Sequence, residues 1–321
     1  MAIVAAPGPA PSAGSVALPV RSRSAPARSH LDRSWPPGWA ARGSPTTVTK
    51  VSTALSERGR TGHVAWARTS ERPDVLLLHG FTDAADCWEA VASALADRWG
   101  VLATDARGHG ESGLPEEPFG RMAHARDAAL VLDAEPGVGP DGVIVVGHSM
   151  GAGAAAALAQ SRPDLVRALV LEDPPPGQPR QPSGEARSRT MPEWLRAARD
   201  RDLAERIARC RTDNPDWSED EFEPWARSKE QFDTHVFDLP SEYPAYLPEV
   251  LAKVACPVLL IHGDTDRGSL IPPQTAAACA MAAAGDFEVA RIDGAGHSVR
   301  RDRRGPYLAA LTGFLERHSH A

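Results

Sequence analysis

The sequence is poor in cysteine, and its few cysteines lie far apart. Only four occur in 321 residues, and no two of them have the Cys-x-x-Cys spacing: Cys87, Cys210, Cys256 and Cys279. This distribution excludes a dense disulfide framework and gives no sign of a zinc site built from paired cysteines. We therefore expect buried free thiols at these positions.

Long apolar runs are also missing. No stretch approaches the roughly 18 consecutive apolar residues that indicate a membrane span, although apolar residues make up 42% of the chain and suffice for a large core. The first twenty residues lack a charged start, and proline and glycine interrupt their apolar stretch, so they fit a secretory signal poorly. We expect a soluble, cytoplasmic protein without a membrane span.

The chain has no excess of positive charge. Its formal net charge is −7, and residues 1–50 carry five arginines and one lysine against the single acid Asp32, which leaves −12 for the remainder. An acidic body argues against binding to nucleic acid. Residues 1–46 are rich in proline, alanine, serine and glycine, so we expect a disordered N-terminal tail. Their composition is also compatible with an organelle transit peptide.

Strands and helices alternate after this tail. Two opening strands are predicted over Thr47–Leu55 and Gly62–Arg68, joined by a polar turn around Arg58 and Gly59. The further predicted elements are strands over Val75–Leu78, Val101–Thr104, Val143–Val146, Ala168–Leu171, Pro257–Ile261 and Phe287–Ile292, and helices over Asp86–Arg98, Arg121–Ala134, Ala152–Gln160, Gln274–Ala284 and Tyr307–Arg317. Such alternation predicts a parallel sheet with helices on both faces.

One segment interrupts the alternation. It begins after Asp173 with three consecutive prolines and ends near Pro257. Its sequence is polar and proline-rich, with helices predicted over Glu193–Cys210 and Glu219–Phe232, which is typical of an insertion and not of a linker. We therefore predict a core domain over residues 47–173 and 251–321, with a helical cap over residues 174–250.

The segment around Ser149 is the most informative in the chain. The apolar run Val143–Val146 leads directly into Gly147-His148-Ser149-Met150-Gly151, which an alanine-rich stretch follows. This pattern predicts a strand, a sharp turn and a helix, and the glycines allow strand and helix to approach closely. The Ser149 hydroxyl would then be exposed at the turn, next to the N–H of Met150 at the start of the helix.

A serine hydroxyl is a weak nucleophile until a base accepts its proton, and the base needs a carboxylate to orient it. His297 follows the last predicted strand, within a glycine-flanked loop. Asp264 and Asp266 follow the strand before it. Because the ends of parallel strands meet at one edge of the sheet, these distant residues can converge on Ser149.

These motifs together resemble the α/β-hydrolase fold superfamily from about residue 47 to residue 317. The matching features, in chain order, are His79-Gly80-Phe81-Thr82, the segment Asp105–Ser112, Gly147-His148-Ser149-Met150-Gly151, the Gly-x-x-Asp of Gly263–Asp266, and Gly296-His297. The resemblance implies an α/β fold with an eight-stranded, mostly parallel sheet, an antiparallel second strand, and a helical cap inserted after the sixth strand.

The resemblance also implies roles for single residues. Ser149 corresponds to the nucleophile, and His297 to the general base and later acid. Asp266 corresponds to the carboxylate, because the family's usual acid stands three residues past the glycine. Asp264 competes for that role. Asp173 occupies the superfamily's other position for the acid, although we expect it to cap the start of the insertion.

Two backbone amides, those of Phe81 and Met150, correspond to the oxyanion hole. Further polar residues in the motifs are expected to pack, to hydrogen bond or to stabilise loops beneath the site: His79, His148, His262, Asp105, Arg107 and His109. Asp83 and Ser112 are further candidates to approach the pocket, which the sequence does not decide.

The expected function is that of a carboxylesterase-like serine hydrolase. It would act on a carboxylic ester or similar carbonyl group of a small molecule through an acyl-enzyme, without a metal or an organic cofactor. Relatives that use aspartate at the turn, the haloalkane dehalogenases and epoxide hydrolases, are excluded by Ser149. Cleavage of a carbon–carbon bond, lyase or cofactor-free perhydrolase chemistry, and binding of a small molecule without catalysis are the alternatives.

Overall fold

The computed structural model describes residues 49–50, 53–179, 186–187, 190–242 and 244–319. The predicted disordered tail over residues 1–46, and the transit peptide considered for it, lie outside these ranges. The four cysteines are free, as predicted; three are buried, whereas Cys256 is only partly buried. None of the helices that the structure describes combines the length and the apolar character needed to cross a membrane.

Eleven strands occur in the described part of the chain. They are β1 (Thr49–Lys50), β2 (Glu57–Thr61), β3 (Val64–Arg68), β4 (Val75–Leu78), β5 (Val101–Thr104), β6 (Val143–His148), β7 (Val166–Glu172), β8 (Ala186–Arg187), β9 (Ser241–Glu242), β10 (Val258–His262) and β11 (Phe287–Arg291). Strands β8 and β9 form a small antiparallel pair.

The other nine strands form one sheet in the order β1-β2-β3-β5-β4-β6-β7-β10-β11. Strand β3 is antiparallel to both of its neighbours, β2 and β5. From β5 onward to β11 all neighbours are parallel. Apart from the two-residue β1, which is antiparallel to β2, this is the predicted eight-stranded sheet with an antiparallel second strand.

The opening hairpin differs from its prediction. The turn expected at Arg58 and Gly59 lies inside β2, and the chain instead reverses between Thr61 and Val64. Gly62 has φ +59° there, a conformation that glycine adopts at little cost. The turn therefore lies at the residue that tolerates a left-handed backbone. Strand β2, which pairs with β3, covers Glu57–Thr61 and lies beyond the predicted Thr47–Leu55.

Ten α-helices occur among the described residues. They are α1 (Glu89–Leu95), α2 (Arg121–Ala134), α3 (Met150–Ser161), α4 (Glu193–Arg199), α5 (Leu203–Asp213), α6 (Phe222–Gln231), α7 (Leu247–Leu251), α8 (Pro273–Ala282), α9 (Val299–Asp302) and α10 (Arg304–His318). Helices α2, α3, α7 and α8 share one apolar cluster with the sheet. Helices α1 and α10 share a second cluster, so helices cover both faces as predicted.

The helix predicted over Glu193–Cys210 is in fact two helices, α4 and α5. The predicted helix is interrupted at Asp202, whose side chain accepts a hydrogen bond from the Glu205 N–H at 2.9 Å. The Glu205 carboxylate accepts in return from the Asp202 N–H at 3.3 Å. This capping box starts a new helix at Leu203.

The insertion, defined here as residues 174–250, follows β7, the sixth of the eight strands. Its two ends lie against each other near the sheet. The Leu247 N–H donates to the Pro176 carbonyl at 2.9 Å, and a Cβ added to Gly177 would lie 2.3 Å from the Ala245 carbonyl oxygen. The two ends of the insertion are therefore held in close backbone contact.

A small apolar cluster joins the insertion to the core. Phe119 from the core packs with Leu195, Phe232 and Val236 from the insertion, and Phe81 lies at the edge of this cluster. The helices of the insertion thus rest on the edge of the sheet where β4 and β6 end.

Candidate active site

Ser149 occupies a sharp turn between β6 and α3. Its backbone has φ +50° and ψ −112°, a strained conformation for a residue with a side chain. A Cβ added to Gly147 would lie 2.5 Å from the Gly151 carbonyl oxygen, and one added to Gly151 would lie 2.1 Å from the Leu78 carbonyl oxygen. Only glycine fits at both positions, as the sequence predicted, so helix α3 starts directly against the sheet.

Three side chains form a continuous hydrogen-bonded chain at this turn. The Oγ of Ser149 lies 3.0 Å from Nε2 of His297. The Nδ1 of His297 lies 2.6 Å from Oδ2 of Asp173. A carboxylate can only accept, so Nδ1 carries the proton, and Nε2 is left to accept from the serine hydroxyl.

The carboxylate beside His297 is therefore Asp173 and not the predicted Asp266. Asp266 lies in an exposed 3-10 turn, Thr265–Arg267, and the described residues include no hydrogen bond or ion pair between it and His297. Asp264 is also engaged elsewhere: its carboxylate accepts from Arg291 at 2.7 Å and from the Gly294 N–H at 2.7 Å.

The Asp173 carboxylate is fully buried and surrounded by donors. Oδ1 accepts from the Ser269 hydroxyl at 2.6 Å, and Oδ2 accepts from the Leu270 N–H at 2.9 Å as well as from His297. A buried carboxylate must be hydrogen bonded to keep its charge. These contacts fix its orientation, and the backbone φ of +41° at Asp173 marks a second strained turn in the site.

The loop that carries His297 is held from two sides. The Nε2 of His148 donates to the His297 carbonyl at 3.0 Å. Next to it, the Arg300 N–H donates to the buried Glu172 carboxylate at 2.9 Å. Burial lowers the pKa of His148 well below its usual value, so this ring stays neutral and serves as a fixed donor.

Phe81 and Met150 both line the cavity that Ser149 opens into. Met150 is the first residue of α3, and an N–H in the first turn has no partner within its helix. The Gly80 carbonyl accepts from Nδ1 of His79 at 2.8 Å and from the Asp83 N–H at 3.1 Å. Since C=O and N–H of a trans peptide point in opposite directions, the Phe81 N–H points away from these donors.

His79 is the residue that fixes this peptide. Its Nε2 accepts from the Ala106 N–H at 3.0 Å, which leaves the proton on Nδ1 for Gly80. Burial lowers the pKa of His79 to about 4, so the ring is neutral around pH 7 and keeps this tautomer.

The other polar residues in the motifs make structural contacts. The His262 ring bonds to the Gly263 carbonyl, and Nδ1 of His109 bonds to the Arg107 carbonyl. Arg107 forms a two-pronged pair with Asp127, with both contacts at 2.7 Å. None of these side chains is among the described residues that line the cavity.

Asp105 and Ser112 stabilise the loop that contains them. Asp105 accepts from the N–H groups of Ala85 and Glu111 at 2.7 and 2.9 Å, and burial raises its pKa to about 6. The Ser112 hydroxyl donates to the Asp105 carbonyl and accepts from the Ala65 N–H. Ser112 therefore belongs to the scaffold.

Asp83 takes part in a buried ion cluster that sequence reasoning missed. The cluster comprises Asp83, Glu172, Glu221, Lys229, Arg300 and Arg301. Burial alone would raise the pKa of Asp83, but Arg301, Lys229 and Arg300 together hold it well below its usual value. Its members are scattered along the chain, so only the three-dimensional arrangement brings them together.

The cavity above Ser149 has a volume of about 260 Å³. Its walls come from both parts of the protein. Phe119 and Ala156 line it from the core, whereas Pro175, Glu242 and Leu247 line it from the insertion. The site is therefore a pocket between the sheet edge and the insertion, with the serine hydroxyl at its wall.

Known proteins with similar sequences bear on this arrangement. The model of the Alpha/beta hydrolase family matches residues 75–310. An N-formylmaleamate deformylase of Pseudomonas putida is 30% identical over 258 residues, which cover 75% of this chain and 88% of that protein. An uncharacterised protein of Mycobacterium tuberculosis is 40% identical over 102 residues, 31% of this chain, and the match spans only 28% of its length.

Solved structures show the same fold at lower identity. A deformylase of N-formylmaleamic acid from Pseudomonas putida superposes with a TM-score of 0.61 at 23% identity, covering 77% of this chain and 96% of that one. An esterase from Mycobacterium tuberculosis superposes with a TM-score of 0.60 at 21% identity, covering 86% and 92%. The family model covers most of the sheet, the turn that carries Ser149 and the loop that carries His297. The chain therefore belongs to the alpha/beta hydrolase family.

Proposed function

We propose that the protein is a serine hydrolase that cleaves a carboxylic ester or a similar carbonyl substrate through an acyl-enzyme. The observation that carries the proposal is the chain of contacts from Ser149 to His297 at 3.0 Å and from His297 to Asp173 at 2.6 Å. It supports Ser149 as nucleophile, His297 as base and Asp173 as the orienting acid.

In the first half of the reaction, Nε2 of His297 accepts the hydroxyl proton while Ser149 Oγ attacks the carbonyl carbon. Asp173 stabilises the resulting imidazolium, and the N–H groups of Phe81 and Met150 stabilise the negative oxygen. The intermediate collapses to the acyl-enzyme, and His297 returns the proton to the leaving group. Water then attacks the acyl group by the same route and frees Ser149.

The insertion acts in this proposal as a cap. It supplies part of the cavity wall, including Pro175, Glu242 and Leu247, so a substrate must contact it to reach Ser149. A cavity of about 260 Å³ is slightly smaller than the roughly 300 to 1,000 Å³ of typical small-molecule pockets. We therefore infer a short acyl group.

Hydrolysis of an N-acyl amide is a second candidate. It is favoured by the Pseudomonas putida relative that aligns with 75% of this chain, since that protein's name denotes removal of an N-formyl group. The chemistry on Ser149 is the same, and only the leaving group differs. Carbon–carbon cleavage, lyase and perhydrolase reactions remain alternatives that would use the same three side chains.

Covalent labelling tests the proposal directly. A fluorophosphonate probe should label the wild-type protein on Ser149, as located by mass spectrometry, and should not label Ser149→Ala. Wild type should also hydrolyse p-nitrophenyl acetate faster than p-nitrophenyl decanoate because the cavity is small. The rates of hydrolysis of formanilide and of phenyl formate, measured side by side, show whether the protein prefers an amide or an ester.

Two outcomes would contradict the proposal. Equal labelling of wild type and Ser149→Ala would place the reactive group elsewhere. A folded wild type that is neither labelled nor active on any of these substrates would instead favour a binding protein without catalysis.

A further inference from the structure

A buried contact links the insertion to the loop that carries Phe81. Helix α6 of the insertion directs Lys229 inward, where its side chain is fully buried. The ammonium group donates to the Thr82 carbonyl at 2.9 Å, to Asp83 Oδ1 at 2.9 Å and to the Ser228 hydroxyl at 3.0 Å. All three of its protons therefore have acceptors.

The need to neutralise Asp83 does not by itself explain why a lysine is buried at position 229. The other oxygen of Asp83 already lies 3.1 Å from Arg301 and 3.3 Å from Arg300. What Lys229 adds is the contact to Thr82, the residue directly after Phe81. Thr82 has φ +67°, a conformation that a threonine holds only when its surroundings impose it.

The peptide groups on both sides of Phe81 and Thr82 are thus fixed from opposite directions. His79 and the Asp83 N–H hold the Gly80 carbonyl from the core, and Lys229 holds the Thr82 carbonyl from the insertion. One of the contacts that fix this loop therefore comes from α6.

The same cluster ties down α6 and the histidine loop. Glu221, at the start of α6, pairs with Arg301 at 3.1 Å. Arg300 pairs with Glu172 at 3.2 Å, and Glu172 directly precedes Asp173. One set of buried charges therefore connects α6 with the loop that carries Phe81 and the loop that carries His297.

We propose that Lys229 is a positioning residue for the oxyanion hole: from the insertion, its ammonium group holds the Thr82 carbonyl and thereby keeps the Phe81 N–H aimed at the substrate oxygen. This inference rests on the proposed hydrolase function. It makes catalysis depend on the docking of α6 and not only on the triad.

The test replaces Lys229 by methionine, which keeps the length of the side chain and removes its donors. Arg227→Met is the matched control, because Arg227 lies on the same helix but is exposed and pairs only with Glu223 among the described residues. Active sites are counted by fluorophosphonate titration, and kcat per titrated site and KM are measured with p-nitrophenyl acetate.

Lys229→Met should lower kcat per titrated site at least about tenfold, with less than a threefold change in KM. Loss of a whole oxyanion donor lowers kcat by about 10²- to 10³-fold, and here the donor is misplaced and not removed. Arg227→Met should match wild type. A purely structural role for Lys229 would reduce the number of titratable sites but leave kcat per site unchanged, and that result would overturn the proposal.

A double variant guards against misfolding caused by unbalanced buried charge. Lys229→Met/Asp83→Asn removes one positive and one negative charge together, yet still lacks the donor to Thr82. We expect it to retain the low kcat per site. Recovery of the wild-type value would show that charge balance, and not the Thr82 contact, is what matters.

The experiment also separates this inference from the proposed function. If wild type is not labelled at Ser149, the hydrolase proposal fails and this one with it. If wild type is labelled and turns over substrate while Lys229→Met keeps its kcat per site, only the role of Lys229 is wrong.

Discussion

Asp173 lies beside His297 because of the pairing of two neighbouring strands. Strands β6 and β7 are adjacent and parallel, and His148 pairs with Glu172 at their ends. The next residue on each strand is Ser149 on one side and Asp173 on the other. A carboxylate after β10 starts one strand farther from the serine, and Asp266 lies four residues beyond the end of that strand.

Substitution of the two aspartates should give unequal results. Asp173→Asn should lower kcat by about 10³- to 10⁴-fold, because an amide cannot stabilise the imidazolium and can favour the wrong tautomer. Asp266→Asn should change kcat less than about twofold, since its side chain is exposed in the loop. Ester hydrolysis by the two purified variants measures this.

Thermal unfolding of both variants provides the control, because loss of fold would also remove activity. A larger loss of kcat in folded Asp266→Asn than in folded Asp173→Asn would contradict the assignment and restore the role that the family motif suggested for Asp266.

At the scale of elements, the first turn of α3 sets the distance between helix and sheet. Gly151→Ala should destabilise the protein by about 2 kcal/mol or more, because the new methyl group would lie 2.1 Å from the backbone oxygen of Leu78 and overpacking of this kind typically costs about 1 to 3 kcal/mol. Urea unfolding followed by circular dichroism measures the change.

Gly153→Ala is the matched control in the same helix. Its added Cβ would lie 3.9 Å from the nearest atom, Arg121 Cβ, and alanine is favoured over glycine within a helix by up to about 1 kcal/mol. We expect unchanged or increased stability. Equal destabilisation by both substitutions would show that the close approach at Gly151 is not what matters.

The elements predicted well are those with strong local signals. The apolar run of β6 and the span of α2 follow from hydrophobic patterning, and their observed bounds agree closely with the predicted ones. The opening hairpin and the break between α4 and α5 were missed, because one glycine and one capping aspartate override periodicity. The sequence offers Asp173 as an alternative acid, but its place next to Ser149 depends on the pairing of β6 with β7, which local patterns do not contain.

At the scale of the whole molecule, several buried histidines make stability depend on pH. The pKa of His79 is lowered to about 4 by burial, so its contribution is present above the unfolded pKa of 6.5 and is lost as pH falls towards 4. Asp105, with its pKa raised to about 6 by burial, acts in the opposite direction, because its neutral form is favoured in the folded state as pH falls.

The free energy of unfolding should therefore fall between pH 7 and pH 5. His79 contributes a loss of about 2 kcal/mol over this range and Asp105 a gain of about 1 kcal/mol. His109 and His148, whose pKa values burial also lowers, add to the loss, whereas burial raises the pKa of Glu172 and offsets part of it. We expect a net loss of at least about 1 kcal/mol in urea titrations.

His109→Phe provides the comparison for this prediction. The ring of His109 packs against Phe81, Phe119 and Phe232, so phenylalanine suits the surroundings and removes one titrating group. The variant should lose less stability than wild type between pH 7 and pH 5. Equal losses of unfolding free energy in wild type and variant, or a wild type whose stability rises from pH 7 to pH 5, would contradict the prediction.

The paired ends of the insertion have a consequence for how a substrate enters. Because the Leu247 N–H binds the Pro176 carbonyl and Gly177 lies against Ala245, the base of the insertion is held together, and an outward swing of the helices beyond it would not have to displace Asp173. Such a swing would carry Lys229 away from Thr82. If Lys229 positions the oxyanion donor as proposed, Ser149 would then reach full reactivity only while α6 is docked, whereas its contact to His297 would not depend on docking.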